Sequence, residues 1–249
     1  MPDLTVLHTN DLHGKLSDKA ADWIIKERAL NDRCILLDAG DAISSGNISY
    51  RRDGEPILAR MSDLGYNAMA MGNREFHFLE TGLESKVKLA QFPVLSANLR
   101  AKYPDVQLPV LQSTSLNVRE LRVIVFGLTV PMITMRMFAS RLSPFWFEDP
   151  IQTAAEIVPE LQKQADVLIA VTHIGLQSDM EIAASVRGID LIVGGHSHSI
   201  LQGPTMVEDT VIVQAGYWGR YVGKVEINMP ERKGDHLDIR GTLIDLSTE

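Results

Sequence analysis

Two pairs of side chains that can bind a metal ion stand out in the sequence. Asp11 and His13 lie in the segment Asn-Asp-Leu-His-Gly, and His196 and His198 follow two consecutive glycines. In extended backbone, residues two positions apart project to the same side, so the members of each pair can reach one cation. The histidine pair after the glycines is moderately specific for metal binding, whereas an Asp near a strand end is more often an ordinary turn residue.

Three further polar residues each follow a short apolar segment. Asp41 and Asn73 come directly after a glycine, and His173 follows the apolar run Val167–Val171. Taken singly, Asp41 is more often a loop cap, Asn73 a turn residue and His173 a hydrogen-bonded core residue. Their joint occurrence with the two pairs is far rarer by chance. The resulting set of oxygen and nitrogen ligands is Asp11, His13, Asp41, Asn73, His173, His196 and His198. This set exceeds the needs of one tetrahedral ion but suits two ions that share a carboxylate.

The composition excludes several classes of protein and of metal site. The single cysteine, Cys34, excludes an internal disulfide and a zinc site built from thiolates. Imidazole, carboxylate and amide ligands favour Mn, Fe, Zn, Co or Ni over Mg. The 24 Lys and Arg against 32 Asp and Glu give a net charge of −8, which argues against a broad surface for a nucleic acid polymer.

The 249 residues, 45% of them hydrophobic, suit one globular domain over residues 1–249. The N-terminus lacks the basic and apolar regions of a signal peptide. No apolar run reaches the length of about 18 residues that crossing a bilayer requires. We therefore expect a soluble cytoplasmic protein that binds no membrane, or a periplasmic one if the chain is a processed form.

Short apolar runs alternate with amphipathic stretches through most of the chain, which predicts a largely parallel sheet covered by helices. The predicted strands are Leu4–Thr9, Cys34–Asp38, Ala68–Met71, Val94–Ala97, Leu121–Leu128, Val167–Thr172 and Leu191–Val193. The predicted helices are Lys19–Leu30, Pro56–Leu64, Leu79–Gln91, Ile151–Gln164 and Asp179–Val186. Pro159 should kink or split the fourth of these helices.

After about Gly203 the alternation ends, and strand-like segments follow one another with turn residues at Pro230 and at Lys233–Asp235. These segments are Thr210–Gln214, Tyr221–Asn228 and Leu237–Leu246. Strands joined by short turns are usually antiparallel, so we expect a second sheet packed on the first. The segments predicted to be irregular are Ala42–Glu55, Arg100–Thr114 and Pro131–Pro150. The last is rich in Met and Phe, which favours a loop packed on the core over a lid that faces a substrate.

The order and spacing of the motifs resemble those of the calcineurin-like metallophosphoesterases. The motifs are Asn-Asp-x-His-Gly, Gly-Asp, Gly-Asn-x-Glu, His and Gly-His-x-His, and the segments Leu7–Gly14 and Leu95–Leu99 resemble the catalytic N-terminal domain of the 5'-nucleotidase branch. The resemblance implies an α/β fold, namely a four-layered α/β/β/α sandwich of two mixed sheets packed face to face with helices outside. It also implies two divalent metal ions bridged by Asp41. The ligands of the first ion would be Asp11, His13 and His198, and those of the second would be Asn73, His173 and His196.

The function implied by this resemblance is hydrolysis of a phosphate monoester, either a nucleotide or another small phosphate ester. Two alternatives remain open. One is a phosphodiesterase of the cyclic-nucleotide type. The other is a metal-binding regulatory protein in which catalysis is weakened, because Arg74 replaces a histidine of the family pattern.

Arg74 and His77 mark the first departure from the family. There, the residue after the motif Asn is a His paired with an Asp three positions later, and this chain has Arg74 and His77 at those positions. Arginine cannot give up a proton at accessible pH, but its donors suit phosphate oxygens. If a helix begins here, the two side chains share a face, so we predict that His77 supplies the proton that Arg74 cannot. The alternative is that Arg74 only pairs with a nearby carboxylate, Glu75 or Glu80.

The length is the second departure. The related nucleotidases carry a further C-terminal domain that stacks the nucleobase, and we expect that domain to be absent from these 249 residues. Selectivity for the nucleobase should then be low unless a partner or the Pro131–Pro150 segment provides a wall. Of the remaining histidines, His8 is predicted to be a core residue or a support for the ligands, and His236 to be solvated.

Overall fold

The computed structural model describes residues 1–230 and 236–247. Within these ranges the helices are α1 (Asp18–Leu30), α2 (Pro56–Asp63), α3 (Glu80–Val87), α4 (Pro150–Gln162) and α5 (Leu176–Ser185). The strands are β1 (Leu4–Thr9), β2 (Cys34–Asp38), β3 (Ala68–Ala70), β4 (Val94–Leu95), β5 (Leu99–Ala101), β6 (Ser113–Val118), β7 (Leu121–Thr129), β8 (Phe145–Phe147), β9 (Val167–His173), β10 (Leu191–Gly194), β11 (Thr205–Val207), β12 (Thr210–Val213), β13 (Tyr221–Asn228) and β14 (Asp238–Asp245). A short 3-10 helix spans Phe138–Arg141.

Two six-stranded sheets form the centre of the molecule. The first has the order β14-β13-β1-β2-β3-β4, and the second has the order β11-β12-β10-β9-β7-β6. β1 to β4 pair in parallel, as do β7, β9, β10 and β12. The strands outside them pair antiparallel, so both sheets are mixed.

The apolar side chains sort into three clusters that define the layers. Along β1, Leu4 and Val6 enter the cluster between the two sheets, whereas Leu7 enters the cluster under the helices, because successive side chains of a strand point to opposite faces. α1, α2 and α3 cover the outer face of the first sheet, and α4 and α5 cover that of the second. The layer order is α/β/β/α, which confirms the predicted sandwich.

The C-terminal strands do not form a sheet of their own, so that prediction is wrong. The hairpin β13-β14 extends the first sheet, where Ile227 lies opposite Leu4, and β12 extends the second sheet parallel to β10. These additions pair the backbone groups of β1 and β10 that would otherwise form open sheet edges. The turn predicted at Lys233–Asp235 lies outside the described residues.

Several smaller predictions were also tested by the fold. The bounds predicted for β1, β2 and β13 are confirmed. Strands β5, β6, β8 and β11 lie in segments where no strand was predicted. α4 runs unbroken through Pro159, so the helix is not split there. Pro159 lies in the last turn, where its missing N–H removes only one hydrogen bond.

The Pro131–Pro150 segment has a buried part and an exposed part. Phe145 and Phe147 of β8 are buried in the cluster that also contains residues of α1 to α3, and β8 pairs with β5. Met135 and Phe138 are exposed. Packing on the core is thus confirmed for the β8 part of the segment only.

The two remaining histidines lie where the sequence predicted. His8 is buried, and a Cβ atom on the opposing Gly223 would lie 1.9 Å from its Nε2 atom. His236 is exposed. Among the described residues, no helix is both long enough and apolar enough to cross a membrane.

Candidate metal centre

The predicted ligands follow the carboxyl ends of strands from both sheets. Asp11, Asp41 and Asn73 follow β1, β2 and β3 of the first sheet. His173 ends β9, and His196 lies just after β10, in the second sheet. The contacts between these loops bring all seven side chains together in two groups.

The inner group consists of Asp41, Asn73, His173 and His196. The Oδ1 atom of Asn73 lies 3.2 Å from Nε2 of His173 and 3.0 Å from Nδ1 of His196, and the two histidine nitrogens are 3.3 Å apart. Oδ1 of Asp41 lies 3.4 Å from the same Nε2 atom of His173. His173 donates its Nδ1–H to the carbonyl oxygen of Ala39 at 2.8 Å, which leaves the Nε2 lone pair free for a metal ion.

The outer group consists of Asp11, His13 and His198. The Nε2 atom of His198 lies 3.1 Å from Oδ1 of Asp11 and 3.1 Å from Nε2 of His13, and the Asp11 and His13 atoms are 3.8 Å apart. The second oxygen of Asp11 accepts hydrogen bonds from the Asn10 side chain and the His196 backbone N–H, both at 2.9 Å. The Oδ1 atom of Asp11 has no hydrogen-bond partner among the described residues. It therefore faces the histidines as a free ligand atom.

The two groups meet at the buried carboxylate of Asp41. Ligand atoms of Asp11, Asp41 and His173 lie within 4.8 Å of one another. Nitrogen and oxygen ligands about 2.1 Å from an ion stand about 3.4 Å apart in a tetrahedron. The separations within each group, 3.0 to 3.4 Å in one and 3.1 to 3.8 Å in the other, match this spacing. The residues present thus fit divalent ions.

Five of the seven side chains sit on strained backbone. Their φ angles are +52° (Asp11), +49° (His13), +54° (Asp41), +74° (His196) and +55° (His198). In the part of the chain that the structure describes, only eight residues other than glycine have positive φ. L-residues rarely adopt this conformation, and its concentration in a few loops is typical of a functional site.

Burial shifts the titration of the ligands toward their neutral forms. It raises the pKa of Asp41 to about 8 and that of Asp11 to about 6. It lowers the pKa of His173 to about 3 and that of His13 to about 4. A divalent cation stabilises ionised carboxylates and binds neutral imidazoles, so it would offset the cost of burying these carboxylates.

Comparison with known proteins identifies the family of this chain. The sequence model of the calcineurin-like phosphoesterase family matches residues 4–199. The chain belongs to this family. It is 32% identical over 272 residues to the trifunctional nucleotide phosphoesterase protein YfkN of Bacillus subtilis, with 92% of this chain and 18% of that protein covered. It is 30% identical over 267 residues to the 5'-nucleotidase of Vibrio cholerae, with 90% and 48% covered.

The fold of this calcineurin-like phosphoesterase is also that of a solved relative. The 5'-nucleotidase precursor of Thermus thermophilus superposes with a TM-score of 0.80 at 28% identity, over 97% of this chain and 54% of that one. The chain therefore spans about half the length of these nucleotidases, and less of YfkN.

Arg74 lies beside the inner group of the candidate metal centre. Its Nε atom is 3.6 Å from Oδ2 of Asp41, and its Nη1–H donates to the carbonyl oxygen of Ser44 at 3.2 Å. Its ion-pair partner is thus a carboxylate of the inner group, rather than the Glu75 or Glu80 considered from the sequence. The side chain remains about one-third exposed, so its donors can reach a phosphate group bound at the site.

His77 is held by backbone groups beside the site. It is buried, its Nδ1 atom accepts the backbone N–H of Leu79 at 3.1 Å, and its Nε2–H donates to the carbonyl oxygen of Ile48 at 3.2 Å. A Cβ atom on Gly82 of α3 would lie 2.2 Å from Nδ1, so the ring packs against that helix. Both ring nitrogens therefore have backbone partners, and the acid role stays a prediction.

Glu75 fastens two ligand loops to each other. The fully buried carboxylate accepts the backbone N–H groups of Gly72 at 2.8 Å, Asp41 at 2.9 Å and Ile43 at 3.1 Å. The loops approach so closely that a Cβ atom on Gly72 would lie 2.3 Å from the Asp41 nitrogen. The sequence signal for this role is the final Glu of the Gly-Asn-x-Glu motif.

Lys86 holds the same region from α3. Its side chain is fully buried, and Nζ donates to the carbonyl oxygens of Arg74 at 2.5 Å, Gly46 at 2.8 Å and Phe76 at 3.1 Å. Burial lowers its pKa to about 8. Sequence reasoning missed this residue, because a lysine within a short amphipathic helix is expected on the solvent side.

Proposed function

We propose that this chain is a phosphoesterase that uses two divalent metal ions to hydrolyse phosphate monoesters, nucleotides among them. The observation that supports this proposal is the convergence of seven nitrogen and oxygen ligands into two groups that meet at Asp41. The names of its relatives, a nucleotide phosphoesterase and 5'-nucleotidases, support the substrate class. The ligand set, which lacks a thiolate, is consistent with Mn, Fe, Zn, Co or Ni.

The residues of the site have separate roles in the proposed reaction. Divalent ions held by the seven ligands would supply a nucleophile at neutral pH and would neutralise the phosphate oxygens. Arg74, held beside Asp41, donates hydrogen bonds to those oxygens and takes part of the charge that develops during transfer. Glu75 and Lys86 keep the loops of Asp41 and Arg74 in register, so that the phosphate meets a preformed site.

The site holds no side chain with an obvious proton for the leaving oxygen among the residues described above. When the ester P–O bond breaks and a water oxygen bonds to phosphorus, the leaving oxygen must gain a proton unless it is stable as an anion. Arg74 does not release one, and the Nε2–H of His77 is bonded to Ile48. We infer that His77 anchors the loop and that solvent supplies this proton. Esters with acidic leaving groups should then react fastest.

The first experiment measures metal content and turnover together. Protein stripped with EDTA is reloaded with Mn and assayed with an alkyl phosphate, p-nitrophenyl phosphate and bis-p-nitrophenyl phosphate. We expect two bound ions per chain, turnover of both monoesters, and the faster rate with the aryl ester. His236→Ala, which changes an exposed histidine outside the site, should behave as wild type.

Three outcomes would change the proposal. Preference for bis-p-nitrophenyl phosphate would favour the phosphodiesterase alternative. Two bound ions without turnover would favour a regulatory metal-binding protein. For His77, the alkaline limb of the pH–rate profile with an alkyl phosphate decides: its loss in His77→Ala would restore the acid role, whereas an unchanged limb supports anchoring.

A further inference from the structure

A cluster of aromatic and cationic side chains borders the outer group of ligands. The ring of Tyr217 stacks on that of His198 with centroids 5.1 Å apart and an interplanar angle of 26°. The ring of Trp218 meets Tyr217 edge to face at 4.9 Å. We call this cluster, with Lys15 and Arg220, the aromatic rim. It begins at a metal-ligating histidine and extends away from it.

The cations of the aromatic rim rest on its rings. The Nζ atom of Lys15 lies 3.7 Å from the centroid of the Trp218 ring, and Cζ of Arg220 lies 5.1 Å from that of Trp218 and 5.2 Å from that of Tyr217. Among the described residues, neither cation forms an ion pair with a carboxylate. The Arg220 guanidinium instead donates to the Tyr217 hydroxyl at 3.4 Å. The rim therefore adds uncompensated positive charge beside the phosphate site.

The backbone of the aromatic rim is strained in the same way as that of the ligands. Trp218 has a φ of +63°, and its N–H donates to the carbonyl oxygen of Asp11 at 2.8 Å. The side chain nevertheless does not enter the core, because Trp218 is 38% exposed. A large ring kept at the surface on strained backbone, and tied to a ligand loop, is typical of a functional position.

We infer that the aromatic rim receives the nucleobase of a nucleotide whose phosphate lies at the metal centre. A second phosphate would need only the two cations and would gain nothing from a strained indole. A simple alkyl group would gain nothing from the cations. A planar base matches both the indole of Trp218 and the guanidinium of Arg220, because a base stacks on indole and on guanidinium planes. The inference rests on the proposed phosphoesterase function and contradicts the low nucleobase selectivity expected from the sequence.

The other opening beside the site fits a base less well. It is an apolar cavity of about 300 Å³ whose lining includes Phe76, Phe78, Met132, Ile133 and Leu142. Its one polar lining residue is Asn47, whose Oδ1 already accepts from Asn73 at 3.4 Å. The polar edge of a base would lose water there without finding a partner. The cavity suits the apolar part of a leaving group instead.

The test compares two substrates that share the bond to be broken. AMP and ribose 5-phosphate differ by the base, so the ratio of their kcat/KM values reports on base recognition alone. We expect Trp218→Leu to lower this ratio about tenfold, since stacking a base on an aromatic side chain contributes about 1–3 kcal/mol. Trp218→Gly, which removes the ring and accepts the positive φ, should lower it equally and covers the case in which the leucine variant does not fold.

Phe138 provides the matched control. It is 72% exposed, it also carries a cation, Arg141, over its ring, and it neighbours Ala139 of the apolar cavity. Phe138→Leu should leave the ratio within twofold of wild type. The inference is overturned if the Trp218 variants keep the ratio within twofold, or if Phe138→Leu lowers it as much.

A binding measurement separates this inference from the proposed function. If neither substrate is hydrolysed, the proposed function fails, and calorimetric titration of Mn-loaded protein with the methylenephosphonate analogue of AMP decides the inference. About tenfold weaker binding to the Trp218→Leu or Trp218→Gly protein than to wild type supports the aromatic rim. Equal binding overturns it.

Discussion

His173 of the inner group and His198 of the outer group are the same kind of side chain, but the protein holds them differently. His173 of the inner group is completely buried and its Nδ1–H is fixed on a backbone carbonyl. The side chain of His198 in the outer group is 41% exposed, and its ring lies against Tyr217. His173 is thus built into the contact between the sheets, whereas His198 lies in a loop at the surface.

Burial therefore decides what a ligand substitution disturbs. A buried ligand such as His173 is oriented by its contacts before any ion binds, so changing it should disturb the fold as well as metal binding. An exposed ligand such as His198 can adjust, so changing it should affect metal and substrate binding with little effect on folding. We propose that the substrate binds on the side of His198, where the aromatic rim begins.

The largest expected effect comes from Asp41, because both groups meet there. Asp41→Asn removes the charge but keeps a side-chain oxygen for the Arg74 backbone N–H, which in wild type donates to Oδ1 of Asp41 at 2.7 Å. We expect kcat/KM for a phosphate monoester to fall by more than about 10²-fold. Metal analysis should show fewer than two bound ions per chain.

The same change should stabilise the metal-free protein at alkaline pH. Burial raises the pKa of Asp41 from 3.8 to about 8, so its contribution to stability is present at low pH and is lost as pH rises through the folded-state value. The asparagine variant lacks this loss, so its Tm at pH 8 should exceed that of wild type when EDTA is present. A lower Tm for Asp41→Asn than for wild type would show that ionisation of the buried carboxyl does not destabilise the metal-free protein.

The next effect tests whether the inner group depends on buried support. Lys86→Met leaves three carbonyl oxygens without their donor, which should cost about 3 kcal/mol of unfolding free energy. It also frees the turn that carries Arg74, so kcat/KM should fall about 10- to 100-fold. Chemical denaturation and monoester turnover measure both effects.

Lys88→Met is the control for this lysine. Lys88 is exposed and its Nζ donates to one carbonyl oxygen, that of Arg52. Its loss should change the unfolding free energy by less than about 0.5 kcal/mol. Equal losses of unfolding free energy in the two variants would contradict the proposed support of the Arg74 turn by the buried Lys86.

The direct comparison of the two groups uses His173→Ala and His198→Ala. Both should weaken Mn binding in calorimetric titrations. In metal-free protein, His173→Ala should lower Tm by about 5 °C or more, because it empties a fully buried position, whereas His198→Ala should lower it by less than about 2 °C. Equal shifts in Tm would remove the distinction between the buried ligand and the exposed one.

The candidate ligands could be predicted from the sequence because each lies just beyond the end of a strand that the sequence pattern predicts. The alternation in β1 and β2 predicts their ends, and the polar residues that follow stand at one edge of an α/β sheet. The glycines at positions 40, 72 and 195 add the close approach between loops. The local sequence pattern therefore predicted most of the candidate metal centre.

Lys86 and the aromatic rim could not be found in this way. Lys86 acts through contacts with loops that the sequence alone does not bring near, whereas Glu75 is marked in the sequence by its place in the Gly-Asn-x-Glu motif. Tyr217 and Trp218 lie in a segment far from Asp11 and His198, and their role depends on ring contacts across the molecule. The C-terminal strands likewise join different sheets, because β13 pairs with the open edge of β1 and β12 with that of β10. Tertiary contacts decide these features.

The smallest expected effect on turnover comes from Asp179, which lies behind the ends of the strands that carry His173 and His196 of the inner group. This fully buried carboxyl accepts the Thr172 hydroxyl at 2.6 Å, and its Oδ2 atom would lie 2.3 Å from a Cβ atom on Gly194, just before the histidine pair. Burial raises its pKa from 3.8 to about 8. Between these values the unfolded chain releases the proton while the folded one keeps it, so stability falls as pH rises, by up to about 1.4 kcal/mol per unit.

Asp179→Asn keeps an acceptor for Thr172 and removes this dependence. We expect monoester turnover within twofold of wild type, and a smaller decrease in Tm between pH 6 and pH 8 with EDTA present. Asp238→Asn, whose side chain is 50% exposed, should retain the wild-type dependence. A large loss of turnover in Asp179→Asn would mean that His173 and His196 of the inner group depend on this buried carboxyl for their positions, in addition to their own contacts.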